Sequence, residues 1–145
     1  MIQPDVRILN FLNAHQIITV CFQDDRFGVH CINCFYHFDE MSMSFVLKSS
    51  SGTLHDIMVV IGNITAGTVL PRCLEPDIVQ GAQWRGVILD SQSFSAIGQK
   101  FCSAYERKYP MSLTVPGYFW LIRLDWIKFT ENIPGLGEKL VWCRE

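Results

Sequence analysis

The sequence predicts a single, mainly β domain: an antiparallel β-barrel with helices inserted at its rim. Three observations point to it. The 145 residues are the usual size of one domain. Six or seven runs rich in Val, Ile, Phe, Thr and Trp are joined mainly by short turns, whereas helical spacing occurs in three places. A parallel sheet would require strands and helices in strict alternation, which this chain lacks. With 49% hydrophobic and 18% charged residues, the composition is that of a folded globule with one core.

Taken in order, Asp5 stands at the N-cap of a helix over residues 5–14, with Val6, Leu9 and Leu12 at helical spacing. Gln16 to Gln23 reads as a strand and Asp24-Asp25-Arg26-Phe27-Gly28 as a turn. Val29 to Phe38 reads as the returning strand of that hairpin. Asp39-Glu40 turns the chain into a third strand, Met43 to Lys48. Ser49-Ser50-Ser51-Gly52 then breaks the pattern. Thr53 to Ile61 has helical spacing, with Leu54, Ile57, Met58 and Ile61 on one face and Gly62-Asn63 as its stop. Ile64 to Leu70 is a fourth strand and Gln83 to Asp90 a fifth, after a loop bounded by Pro71 and Pro76. The longest helix runs from Ser93 to Tyr109, with Phe94, Ile97, Phe101 and Tyr105 as its apolar stripe and Pro110 as its end. Phe119 to Thr130 is a long strand, and Lys139 to Arg144 is the last.

The charge pattern excludes some functions. Net charge is −2 and the basic residues are scattered, which disfavours bulk nucleic-acid binding. Met1-Ile2-Gln3-Pro4-Asp5 lacks the features of a secretory signal, and no apolar run approaches the roughly 18 residues of a membrane span. The expectation is a cytoplasmic protein with reduced thiols. Cys31-Ile32-Asn33-Cys34 has the spacing of half a zinc site. It falls in a strand, however, where an offset of three sends side chains to opposite faces, so the cysteines read as small core residues.

The loop Lys48-Ser49-Ser50-Ser51-Gly52-Thr53 is the most suggestive local feature. Small hydroxyl residues and a glycine before a helix suit a phosphate, and they equally suit a helix cap with no ligand. The four histidines are too dispersed to define a site, and Trp84, Trp120, Trp126 and Trp142 read as core or interface residues.

Several blocks of this sequence resemble the flavin split-barrel superfamily, represented by pyridoxamine 5′-phosphate oxidase. The span from His37-Phe38-Asp39-Glu40 through Phe45 to His55 lines up with that oxidase's cofactor-binding strands and following loop. The whole chain looks more specifically like the YhbP family within that superfamily. The specific blocks are Ile122-Arg123-Leu124-Asp125-Trp126-Ile127-Lys128-Phe129-Thr130-Glu131-Asn132, then Gly135-Leu136-Gly137-Glu138-Lys139 and Trp142. Cys31-Ile32-Asn33-Cys34-Phe35-Tyr36 resembles that family's second strand.

The resemblance implies a six-stranded split barrel that dimerises, with FMN at the subunit interface. It implies flavin contacts from Cys31, Ile32, Asn33 and Cys34. Leu47 and Lys48 would lie on the phosphate side together with Ser49, Ser50, Ser51, Gly52 and Thr53, and Gln83 would approach the ring. The chain departs from the oxidase where that enzyme holds the phosphate. Cys31, Gly52 and Thr53 stand where the oxidase has an arginine and an Arg-Lys pair, and the lysine and arginine of YhbP-like relatives are Gly52 and Leu54 here. The functional expectation is an FMN-binding protein, with flavin-dependent oxidoreductase as the activity it would have, whose cofactor carries the chemistry. The alternatives are a non-catalytic binder of haem or another planar ligand, with His30 or His37 as axial ligand, and a cofactor-free dimeric module.

Overall fold

The computed structural model describes residues 2–53, 59–90 and 95–145, with the backbone alone at 95–97, 133 and 136. Helix α1 spans Val6–Ala14 and is capped by Asp5, whose carboxylate accepts from the Arg7 backbone N–H at 2.9 Å. The strands are β1 Ile17–Asp24, β2 Gly28–Phe35, β3 His37–Asp39, β4 Ser44–Ser50, β5 Ile64–Val69, β6 Val79–Asp90, β7 Gly117–Ile133 and β8 Leu136–Cys143. Between β6 and β7 lie helix α2, Ser95–Lys108, and a 3-10 turn, Pro110–Thr114.

All strands belong to one antiparallel sheet in the order β2-β1-β5-β6-β7-β4-β3, with β8 beside β7. β2 and β3 lie at opposite ends of that order, yet Tyr36 alone separates them in the chain. The sheet therefore curls until its two ends meet at Tyr36. Counting β2 and β3 as one bent strand gives the expected six-stranded split barrel, extended by the β8 hairpin.

That bend corrects the expectation of one continuous strand from Val29 to Phe38. No Gly or Pro marks the break; tertiary hydrogen bonds impose it. The Tyr36 N–H donates to the Gln16 carbonyl at 3.0 Å, and its hydroxyl donates to the Leu12 carbonyl at 2.7 Å. Its own carbonyl accepts from the Tyr109 hydroxyl at 2.6 Å and from Lys108 Nζ at 3.3 Å. The pivot is thus pinned by α1 on one side and by the end of α2 on the other.

Period-two alternation fills the barrel. Ile18, Val20 and Phe22 of β1, Trp84 and Ile88 of β6, and Ile122, Leu124, Ile127 and Phe129 of β7 are buried together. Helix α1 plugs one end through Ile8, Phe11 and Leu12, with the Phe11 ring 4.9 Å from that of Phe129. A second core lies outside the barrel, where Phe101 and Tyr105 of α2 pack on Val46 and Leu121. β4 is consequently buried on both faces over residues 44–47.

β6 begins at Val79, ahead of the expected Gln83. Trp120 and Trp142 are buried, so they supply no exposed apolar patch. In the region expected to be helical, Leu54, Ile57 and Met58 lie outside the described residues. Ile61-Gly62 is a turn, with Gly62 at φ +89° and its N–H donating to the Ile88 carbonyl at 2.8 Å. Phe94 and the Ile97 side chain also lie outside the described residues. Among those described, no helix is long and apolar enough to cross a membrane.

Candidate functional site

The site is set by the alternation along β4. Phe45, Leu47 and Ser49 turn into the barrel, whereas Val46, Lys48 and Ser50 turn toward α2. Val46 is covered by α2. Beyond it Lys48 and Ser50 open on a cleft of about 540 Å³ between β4, the end of α2 and the 3-10 turn. That volume is within the roughly 300–1,000 Å³ of ordinary small-molecule sites.

One wall of the cleft is apolar: Phe35, Tyr105, Tyr109, Met111 and Val115. The Tyr109 ring lies 5.0 Å from Phe35 and 4.9 Å from Tyr105, a continuous aromatic surface. The polar groups are Lys48, Ser50, Lys108 and Ser112. Lys48 Nζ donates to the Ser112 carbonyl at 2.6 Å and stands 5.3 Å from the Phe119 ring centroid. The Ser112 hydroxyl is buried and has no hydrogen-bond partner among the described residues, an orphan that a ligand acceptor in the cleft would satisfy.

Lys108 closes the inner end. Its ammonium donates to the carbonyls of His15 at 3.2 Å and Tyr36 at 3.3 Å, and burial lowers its pKa. Burial first, and then the Lys108 charge, also lowers the pKa of His15 and of His37, favouring neutral imidazoles. Burial pushes the Tyr105 hydroxyl up to about 12, so it remains a neutral donor.

The expected site residues fall into separate groups. Lys48 and Ser50 line the cleft, whereas the Leu47 side chain is fully buried in the barrel. Ser49 is buried too, and its hydroxyl accepts from Trp120 Nε1 at 2.7 Å. Ser51, Gly52 and Thr53 form the turn after β4, with Gly52 at φ +81° and the Thr53 hydroxyl donating to the Ser50 carbonyl at 3.0 Å. On β2, Cys31 and Asn33 are exposed outward, while Ile32 and Cys34 pack inward against the core. Burial pushes the Cys34 thiol up to about 12. Gln83 is exposed on β6, in a cross-sheet row with Thr68, Thr19 and Asn33, and does not line the cleft. His30 and His37 do not line it either.

Sequence reasoning missed Lys108, Tyr109, Met111 and Ser112. The available signal was a basic and aromatic pair at the end of a helix, immediately before Pro110.

Ser49 therefore reads as a structural residue. Ser49→Ala would leave the buried Trp120 N–H without an acceptor, an expected loss of about 1–2 kcal/mol. Urea unfolding should show a lower midpoint with an unchanged slope. A variant as stable as the parent would free Ser49 for another role.

The chain matches no family model. It is, however, 32% identical over 143 residues to a UPF0306 protein of Yersinia pestis, covering 97% of this chain and 94% of that relative. It is also 32% identical over 142 residues to the UPF0306 protein YhbP of Escherichia coli O9:H4, covering 97% and 93%. Among solved structures, a haem-binding protein from Mycobacterium smegmatis superposes with TM-score 0.70 at 11% identity, covering 96% of this chain and 59% of that one. An FAD-binding protein from the same organism gives 0.69 at 11% identity, covering 98% and 99%. A Listeria innocua protein named as a pyridoxamine 5′-phosphate oxidase gives 0.64 at 12%, covering 86% and 95%. At these identities the structures establish the fold, and the near full-length relatives establish the family. The chain belongs to the UPF0306 family of YhbP, built on the split-barrel fold of pyridoxamine-phosphate-oxidase-like proteins.

Proposed function

We propose that this protein is a ligand-binding split barrel that holds FMN in the cleft beside β4 and works as a homodimer. The observation that carries this reading is the pairing, in one cleft, of a continuous aromatic wall with Lys48, Lys108 and the unpartnered Ser112 hydroxyl. A flat apolar ring with an anionic tail matches those surfaces. The FAD-binding and haem-binding proteins of the same fold support a planar ligand.

The residues fit FMN as follows. Phe35, Tyr109 and Met111 would flank the ring system. Lys48, Ser50 and Ser112 would hold the phosphate, with the backbone of Ser51, Gly52 and Thr53 beside them. Lys48 takes over the charge that the oxidase draws from arginine and lysine side chains. When bound, FMN supplies hydride and single-electron transfer. The chain's own part is to orient the ring, exclude water with the aromatic wall, and keep Tyr105 protonated as a donor. Met111 and Val115 of the cleft lining are exposed, as are Leu113 and Tyr118 close to them in the chain, a surface suited to a second copy completing the site.

Fluorescence titration of FMN, with riboflavin as control, tests the reading. Saturable binding that prefers FMN is expected. Lys48→Ala should weaken FMN binding about tenfold to a hundredfold, the worth of one charge-assisted hydrogen bond, and change riboflavin little. Equal losses for both ligands would remove the phosphate from Lys48. A parent protein that ignores FMN would reject the cofactor outright.

A further inference from the structure

Cys21 and Cys31 stand directly opposite one another on β1 and β2, and their sulfurs are 3.0 Å apart. That separation is too long for a bond and shorter than two unbonded sulfurs ordinarily keep. Directly paired residues of an antiparallel sheet have Cα atoms about 4.5–5.5 Å apart. That lies inside the roughly 4.4–6.8 Å span that a disulfide bridges. The backbone therefore needs little movement for a bond to form. The hairpin register fixes the pairing: it runs without a shift from Asp24↔Gly28 to Ile17↔Phe35.

The two thiols differ in access. Cys31 is exposed on the outer face of an edge strand, whereas Cys21 is half-buried between β2 and β5. Burial and the neighbouring Cys31 push the Cys21 thiol up to about 11. Cys31 is thus the thiol that a soluble reagent meets first, and Cys21 is the one held ready behind it. Among the described residues no group of three or more His, Cys, Asp or Glu side chains could hold a metal ion, so the pair has no further ligands nearby.

We propose that Cys21 and Cys31 form a redox-active dithiol that exchanges with low-molecular-mass disulfides and closes into a cross-strand disulfide. Cys31, as thiolate, attacks one sulfur of the small disulfide. That sulfur–sulfur bond breaks, one small thiolate leaves, and a mixed disulfide remains on Cys31. Cys21 then loses its proton and attacks Cys31 Sγ. The Cys21–Cys31 bond forms and the second small thiolate leaves. The two protein thiols lose two electrons, the small disulfide gains them, and both protons end on the released thiols. None of this depends on the cleft or on FMN, because Cys31 faces outward and does not line that cleft.

The test exposes reduced full-length protein to oxidised glutathione, then alkylates it under denaturing conditions and maps its peptides by mass. In the parent, the peptides carrying Cys21 and Cys31 should appear cross-linked and free of glutathione, whatever the other cysteines carry. Cys21→Ser should stop one step earlier, with glutathione retained on Cys31. Cys31→Ser should give neither the bridge nor the adduct at Cys21. Circular dichroism of both variants against the reduced parent establishes that each remains folded. A parent that keeps glutathione on Cys31 without closing overturns the proposal. So does a bridge joining other cysteines, or a pair that stays reduced while Cys73 and Cys143 react.

Discussion

Gly67→Ala is expected to cost about 3 kcal/mol, a large part of the roughly 5–15 kcal/mol that holds a domain of this size folded. Gly67 sits in β5 opposite Val20 of β1 and Trp84 of β6, both fully buried in the barrel. A Cβ added there would lie 1.8 Å from the Thr19 carbonyl oxygen and 2.5 Å from Cζ2 of Trp84. The first is backbone in the β1–β5 ladder, and the second belongs to a side chain packed on every side. Neither can yield without breaking pairing or displacing the largest group in the core. Gly81→Ala is the matched control, since its new Cβ would come no closer than 3.4 Å to Leu70 and Val69. Urea unfolding should place that control within about 1 kcal/mol of the parent. Two similar midpoints would mean that the barrel wall is softer than its packing indicates.

Lys108→Met should cost a comparable amount, about 3 kcal/mol, for an electrostatic reason. The Lys108 ammonium is half-buried and donates to the carbonyls of His15, just past α1, and of Tyr36, where the two ends of the sheet meet. Methionine keeps the apolar stem and removes both donors. Hydrogen bonds from a charged donor are worth about 1.5–3 kcal/mol each, and the Tyr109 hydroxyl, 2.6 Å from the same Tyr36 carbonyl, softens the loss. The variant also removes the charge that, after burial, lowers the pKa of His15 and of His37. Both imidazoles should then titrate at higher pH, a change that NMR reads directly. A variant that loses stability without shifting either histidine would place the Lys108 charge elsewhere.

Local pattern carried most of the barrel. The apolar runs of β1 and β4, the turn at Asp24–Gly28 and the Pro110 stop of α2 are all written in residue type, and they stand where expected, with β4 running on to Ser50. Tyr36 is different. Nothing in Cys34-Phe35-Tyr36-His37-Phe38 marks a bend, because the bend is made by groups up to 73 residues away. The site was legible to the same depth. Residue type singled out the stretch from Lys48 to Thr53, and strand parity assigns Leu47 and Ser49 to one face and Lys48 and Ser50 to the other. Which face looks into the barrel depends on how the sheet curls, and that is not local. Gln83 shows the other limit: its residue type said nothing of the face, and it points outward in the row of Thr19 and Asn33. The cleft's Tyr109 and Met111 come from a connection whose place against β4 follows only from the tertiary fold.

The two ends of the described chain are sewn together. Trp142 Nε1 donates to the Ile2 carbonyl at 2.8 Å across 140 residues, and Arg7 pairs with Glu138 across 131. Synthesis on a ribosome is vectorial, so α1 emerges before β7 and β8. Until β7 and β8 are out, the nine-residue α1 has neither Phe129 to pack on nor Glu138 to pair with, and a helix that short does not persist alone in water. The nascent chain therefore carries Ile8, Phe11 and Leu12 without their full packing until β7 and β8 follow. Packing of α1 is completed only after β8 clears the exit tunnel, which makes the segment carrying α1 a part in need of a chaperone.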